Sequence, residues 1–105
     1  MDVIELNGAN FEEEVMRAKE KVLIDFWASW CMPCRMLSPV VDEIAEEDHE
    51  NLKVCKVNID EQPELAQQFQ VMSIPTLVVM KDGKAAAGAV GVQSKEAILQ
   101  MVENA

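Results

Sequence analysis

Cysteine is scarce in this chain of 105 residues, with only Cys31, Cys34 and Cys55. Three are too few and too unevenly placed for the disulfide framework of a small secreted domain. Positive charge is scarce as well. Nine basic residues face nineteen acidic ones, for a formal net charge of −10. Such a surface repels phosphate backbones and anionic lipid, which argues against nucleic acid and membrane partners and favours solubility. No apolar run approaches the roughly 20 residues that span a bilayer. Met1-Asp2-Val3-Ile4-Glu5 shows no basic segment leading into a long apolar core, so no secretory leader is expected and a cytoplasmic location is. Repeats, low-complexity tracts and linkers are missing too, and the length suits a single domain over residues 1–105.

The patterns that are present alternate between strand and helix. Val3 to Leu6 reads as a short first strand. Asn10 is placed to cap a helix, with Glu13 three residues on completing a capping box and Phe11, Val15 and Ala18 forming the apolar face. In the strand Val22 to Trp27, Val22, Ile24 and Phe26 face one way and Leu23, Asp25 and Trp27 the other. Both faces are largely apolar, which predicts a central strand covered on both sides. A second helix is expected from about Cys34 to Glu47, with Leu37, Val40, Val41, Ile44 and Ala45 at helical spacing and Pro39 kinking it. Leu52 to Ile59 reads as a third strand, Pro63 as the first turn of a short helix carrying Leu65, Ala66 and Phe69, and Thr76 to Met80 as a further strand. Asp82-Gly83 predicts a hairpin, so Lys84 to Val90 should return antiparallel. Ser94 caps a final helix with Ile98, Leu99, Met101 and Val102 as its stripe. Strands alternating with helices and ending in a hairpin predict a three-layer α/β sandwich around a mixed sheet.

The densest signal is Trp27-Ala28-Ser29-Trp30-Cys31-Met32-Pro33-Cys34. A Cys-x-x-Cys at a strand-to-helix junction places its first thiol at a helix N-terminus. Unpaired N–H groups and the helix dipole stabilise a thiolate there. The second thiol follows about one turn later, close enough to close a small disulfide, which makes the pair a redox switch. Cys31 is therefore the expected nucleophile, the more exposed and more acidic thiol, attacking a partner's disulfide to form a mixed disulfide. Cys34, inside the helix and more buried, is expected to resolve it. Pro33 fixes the helix start and holds the sulfurs in register. Asp25 is a carboxylate in the middle of a strand apolar on both faces. Burial there is costly and should raise its pKa, which marks a functional candidate. It shares a side with Trp27 and is expected to deprotonate Cys34 through water, the bland alternative being an aspartate satisfied by local hydrogen bonds. Cys55, beside Val54 and Val57, reads as a small buried apolar residue, and His49 as a solvated residue of the polar turn 46–51.

The chain resembles the thioredoxin family along essentially its whole length. Asp25-Phe26-Trp27-Ala28 ahead of Trp30-Cys31-Met32-Pro33-Cys34, then Val57-Asn58-Ile59-Asp60, Ser73-Ile74-Pro75-Thr76-Leu77 and Val90-Gly91, follow that family's motifs in order. The resemblance implies the thioredoxin fold and a thiol–disulfide oxidoreductase that reduces disulfide-containing proteins and is recycled by a thioredoxin reductase. A monomer is the default, and no metal and no cofactor beyond the Cys31–Cys34 disulfide is expected. It implies the same role for Asp25, with Lys56 tuning its charge, and a cis Ile74–Pro75 bond facing the active site. The Ile74 backbone would pair with an extended substrate, in a shallow apolar groove lined by Trp30, Met32, Ile59, Ile74, Pro75, Val90 and Gly91. Two departures stand out. Methionine occupies position 32, where the family usually carries glycine, and Met72-Ser73 precede Ile74-Pro75 where smaller or more polar residues are common. The competing readings are an oxidant or isomerase, a non-catalytic docking subunit, and a metal module built from Cys31, Cys34, Cys55 and His49. The last lacks the second closely spaced ligand pair of structural zinc sites.

Overall fold

Five strands form one sheet in the order β1-β3-β2-β4-β5. The computed structural model describes residues 2–47 and 49–105. Met1 and Asp48, the first in the N-terminal stretch read for a leader and the second within the expected 46–51 turn, lie outside the described residues. The strands are β1 (Ile4–Glu5), β2 (Lys21–Trp27), β3 (Leu52–Asn58), β4 (Thr76–Lys81) and β5 (Lys84–Val90). The helices are α1 (Met32–Glu46), α2 (Pro63–Gln68) and α3 (Lys95–Asn104). β1, β3 and β2 run parallel, whereas β4 and β5 join antiparallel, so the sheet is mixed as expected.

The two-sided apolar pattern of β2 makes it the central strand. Val22, Ile24 and Phe26 pack with Val57, Phe11 and Leu65 on one face of the sheet. Leu23 packs with Leu37, Val41 and Ile44 of α1 and Ile98 of α3 on the other. Phe69 closes the first face, edge-on to Phe11 with ring centroids 5.8 Å apart and tilted against Phe26 at 5.3 Å. Three layers result, helices on both sides of one sheet. No described helix is long and apolar enough to cross a membrane.

Local chemistry explains where the expected boundaries move. The predicted capping box does not form. Asn7 Oδ1 takes the N–H groups of Ala9 and Asn10 at 2.8 and 3.0 Å. The Asn10 side chain turns back to donate to Glu5 O and to accept from Asn7 N. Glu13 lies 3.9 Å from Arg17 instead of capping. The expected helix is a single π-helical stretch, Glu12–Met16, in which Arg17 N donates to Glu12 O. The turn Asn7–Asn10 already binds the Ala9 and Asn10 N–H groups through Asn7, so they are not left for a helix to satisfy. β1 is shorter than the apolar run Val3–Leu6, although Leu6 N still donates to Lys56 O at 2.9 Å. α1 begins at Met32, two residues before the expected start, because Cys31 supplies its cap, and it continues through Pro39.

The hairpin forms as predicted. Asp82 and Gly83 both adopt positive φ, 53° and 75°, the combination a type I′ turn requires. A Cβ on Gly83 would sit 3.3 Å from Met16 O. Gly83→Ala is therefore expected to cost about 1–2 kcal/mol through left-handed backbone strain. Urea unfolding of both proteins, followed by far-UV circular dichroism, checks this.

Candidate active site

Cys31 stands at the mouth of α1 in extended backbone, φ −93° and ψ 110°. Its Sγ accepts the Cys34 N–H at 3.2 Å, so sulfur does here what a serine oxygen does at other helix starts. Pro33 occupies the first turn, where its missing N–H costs nothing. Cys31 and Cys34 are joined by a disulfide with their Cα atoms 5.3 Å apart. Both sulfurs pack against Ala28, with Trp27, Ile59 and Ile74 around them. The exposure order is the expected one, but the difference is small: Cys31 is 5% exposed and Cys34 2%.

Three tethers hold the loop that delivers the cysteines. Arg35 reaches back from α1 and donates two hydrogen bonds, at 3.1 and 2.8 Å, to Ser29 O. Trp30 Nε1 donates to Asp60 Oδ2 at 2.8 Å, which pins the exposed indole across the groove to the turn after β3. Ile59 N donates to Trp27 O at 2.9 Å. Opposite them, the Ile74–Pro75 bond is cis, and Ile74 O lies 3.8 Å from Cys31 Sγ. Gly91 N donates to Pro75 O at 2.9 Å, from a backbone φ of +94° that favours glycine. Trp30, Met32 and Val90 are exposed around this rim. Pro75 is buried, while Ile59, Ile74 and Gly91 are half-buried. Met72, 93% exposed, and Met36 extend the soft apolar margin beyond the residues expected.

Beneath Cys34 lies a cavity of about 220 Å³ lined by Glu5, Asp25, Trp27, Cys34, Arg35, Ser38 and Lys56. Asp25 is 1% exposed, and its Oδ1 has no hydrogen-bond partner among the described residues, like Trp27 Nε1 on the same wall. The bland alternative of an aspartate satisfied locally therefore does not describe this oxygen. Burial pushes the Asp25 carboxyl up from the ordinary 3.8 to about 6. The Lys56 ammonium opposes this rise, and the carboxylates of Asp42 and Glu5 add to it.

Lys56 is the register partner of Asp25 on the neighbouring strand, as its expected tuning role requires. Its ammonium, however, donates to Ser38 Oγ at 2.8 Å and Asp42 Oδ1 at 2.9 Å. Lys56 thus acts on Asp25 through space. Ser38 and Asp42 escaped the sequence reading. The signal was available: Cys34, Ser38 and Asp42 recur every four residues, a polar stripe along an otherwise apolar helix face.

The remaining candidates lie elsewhere. Cys55 packs with Ile24 and Val57 on the opposite face of the sheet, and burial pushes its thiol up to about 12. His49 Nε2 lies 3.0 Å from Glu47 Oε1 in an exposed turn. The four residues weighed as metal ligands therefore do not meet, and no cluster of three or more His, Cys, Asp or Glu able to hold a metal occurs among the described residues.

What this arrangement can do is close and reopen one S–S bond at a helix N-terminus, with a buried carboxylate in the cavity below. Comparison with known proteins gives the same answer. The thioredoxin family model matches residues 2–104. Thioredoxin 1 of Synechococcus elongatus is 46% identical over 98 residues, covering 93% of this chain and 92% of that one. Thioredoxin of Mycobacterium tuberculosis is 45% identical over 97 residues, covering 92% and 84%. The bifunctional thioredoxin reductase/thioredoxin of Mycobacterium leprae is 43% identical over 97 residues, 92% of this chain but 21% of that longer protein. With its bonded Cys31–Cys34 pair, the chain is a thiol–disulfide oxidoreductase and belongs to the thioredoxin family.

Proposed function

We propose that this chain is a cytoplasmic, monomeric electron carrier that reduces protein disulfides and is itself re-reduced by a thioredoxin reductase. The observation that carries the reading is the stack of Ile74 O, the Cys31–Cys34 pair and the buried Asp25, from groove floor to cavity. In the dithiol form Cys31, held at the start of α1, attacks a disulfide of the partner. Its sulfur bonds one partner sulfur, and the second leaves with the electron pair. Asp25 takes the Cys34 proton. Cys34 then attacks Cys31 Sγ, closing the ring and expelling the reduced partner. Both electrons end in the partner and the S–S bond is the only redox group used, so no metal or bound cofactor takes part. Lys56 keeps Asp25 from rising further, and Pro33 keeps the two sulfurs in register.

Trp30, Met32, Ile59, Ile74, Pro75, Val90 and Gly91 hold the partner's extended segment. The net charge of −10 favours a partner whose docking face is basic and disfavours nucleic acid and anionic membranes. Support for the reductase comes from the Mycobacterium leprae relative, whose name joins the two activities in one chain.

The test is the equilibrium potential of the Cys31–Cys34 couple in a defined thiol–disulfide buffer. A value well below about −200 mV is expected of a cytosolic reductant, whereas one near −120 mV would make the chain an oxidant. The same titration tests position 32. Met32 is the first residue of α1 and restricts the backbone between the two sulfurs. Met32→Gly loosens the dithiol form and so weakens the disulfide, raising the potential by about 20 mV, the equivalent of roughly 1 kcal/mol of glycine entropy. An unchanged potential together with unchanged kinetics towards the reductase would remove any role for Met32.

A further inference from the structure

Asp25 is sealed from solvent, yet a base that takes a proton in every turnover must also lose one. The chain places a second carboxylate along the way out. Glu5 on β1 is the register partner of Lys56 on β3, and Lys56 is the register partner of Asp25 on β2. In parallel strands such partners share a face, so the three side chains form a row across the sheet, from the buried centre to its edge. All three line the cavity that also touches Cys34. Its volume of about 220 Å³ has room for several waters at about 30 Å³ each. Glu5 is the exposed end of this row.

We propose that Glu5 is the positioning residue through which Asp25 returns its proton to solvent. The inference rests on Asp25 being the base for Cys34. In the resolving step the Cys34 S–H proton passes to Asp25. The Cys31–Cys34 bond forms as the bond from Cys31 to the partner breaks, and the electron pair leaves on the partner's sulfur. The proton then crosses the cavity to the Glu5 carboxylate and from there to water. The other charged groups of the cavity are engaged. Lys56 spends its ammonium on Ser38 and Asp42, so Asp42 is held in an ion pair. Arg35 is committed to Ser29 O. The Glu5 carboxylate has no hydrogen bond among the described residues. Burial pushes it above the ordinary carboxylate range, Lys56 pulls it down, and Glu61 and Asp42 push it up. A carboxylate lifted in this way accepts a proton more readily than a fully solvated one.

The experiment uses the whole chain with two readouts. The first is the carbon-13 titration of the Asp25 carboxyl in the oxidised protein. Removing a facing negative charge eases ionisation, so Glu5→Gln moves the Asp25 midpoint down. The second is single-turnover release of thionitrobenzoate from a mixed disulfide on Cys31, in dilute buffer. Glu5→Gln is expected to slow release by about tenfold, a part of the usual general-base contribution. Concentrated imidazole restores the rate, and so does Glu5→Asp, which keeps a carboxylate at the mouth. Release at the wild-type rate in dilute buffer overturns the proposal, and so does a loss that neither imidazole nor Glu5→Asp repairs. Asp25→Asn is run beside it. If that variant releases as fast as wild type, the base itself is misassigned. A Glu5→Gln defect limited to dilute buffer on top of a slow Asp25→Asn would confirm both.

Discussion

Cys34→Ser converts the chain from a catalyst into a trap. The variant keeps Cys31 at the cap of α1 but has no thiol to attack the mixed disulfide, so a covalent adduct with an oxidised partner protein accumulates to stoichiometry. Intact-mass spectrometry under non-reducing conditions reads it directly, and added dithiothreitol releases it. Cys31→Ser gives the opposite result: no adduct, and turnover lower by roughly six orders of magnitude, the scale on which removal of a covalent nucleophile is felt. Cys55 cannot substitute. It sits on the other face of the sheet, buried, with its thiol pushed up to about 12, so it holds almost no thiolate at neutral pH. Equal adduct formation by both variants would mean that the order of attack assigned to the two cysteines is wrong.

Asp25→Asn separates catalysis from stability, with opposite signs. Resolution of the mixed disulfide is expected to slow by roughly a hundredfold, the low end of what a positioned general base contributes. The fold, by contrast, becomes more stable at neutral pH. The Asp25 carboxyl is ionised above 3.8 in the unfolded chain but only above about 6 in the folded one. The folded state thus holds the extra proton between these values. Stability from this group is full below the lower value, falls as pH rises through the window, and stays low above it. The gap corresponds to about 3 kcal/mol at neutral pH. An asparagine carries no such burden. Denaturant unfolding of both proteins at pH 4 and pH 7.5 should show the variant gaining at the higher pH and losing that gain at the lower. A difference that does not depend on pH would show that Asp25 is not the group that burial holds protonated.

The legible parts of the molecule share a physical cause: they depend on neighbours in sequence. The double-sided run Val22–Trp27 is central because it is apolar on both faces, and it packs against both cores. Asp82-Gly83 turns because only such residues tolerate two successive positive φ values. Ser94 caps α3, accepting from Ala97 N at 3.1 Å. The capping box at the start of the N-terminal helix failed to form for the complementary reason. Asn7 Oδ1 took the Asn10 N–H at 3.0 Å that Glu13 would have bonded, and the Asn10 side chain turned back to Glu5 O and Asn7 N, a local competition that spacing alone does not decide.

By itself, then, the sequence determined the redox pair, its place at a helix N-terminus, the buried carboxylate Asp25 and the order of strands and helices. Each of these is a matter of residue type and period along the chain. Only the tertiary structure decided what surrounds that carboxylate. Glu5, Asp25, Ser38, Asp42 and Lys56 come from two adjacent strands, an edge strand and a helix, and nothing in their separate spacings says that Lys56 turns to Ser38 and Asp42 rather than to Asp25. Electrostatics inside a cavity depend on distance through space and on the solvent that burial removes, and both exist only once the sheet has closed against α1.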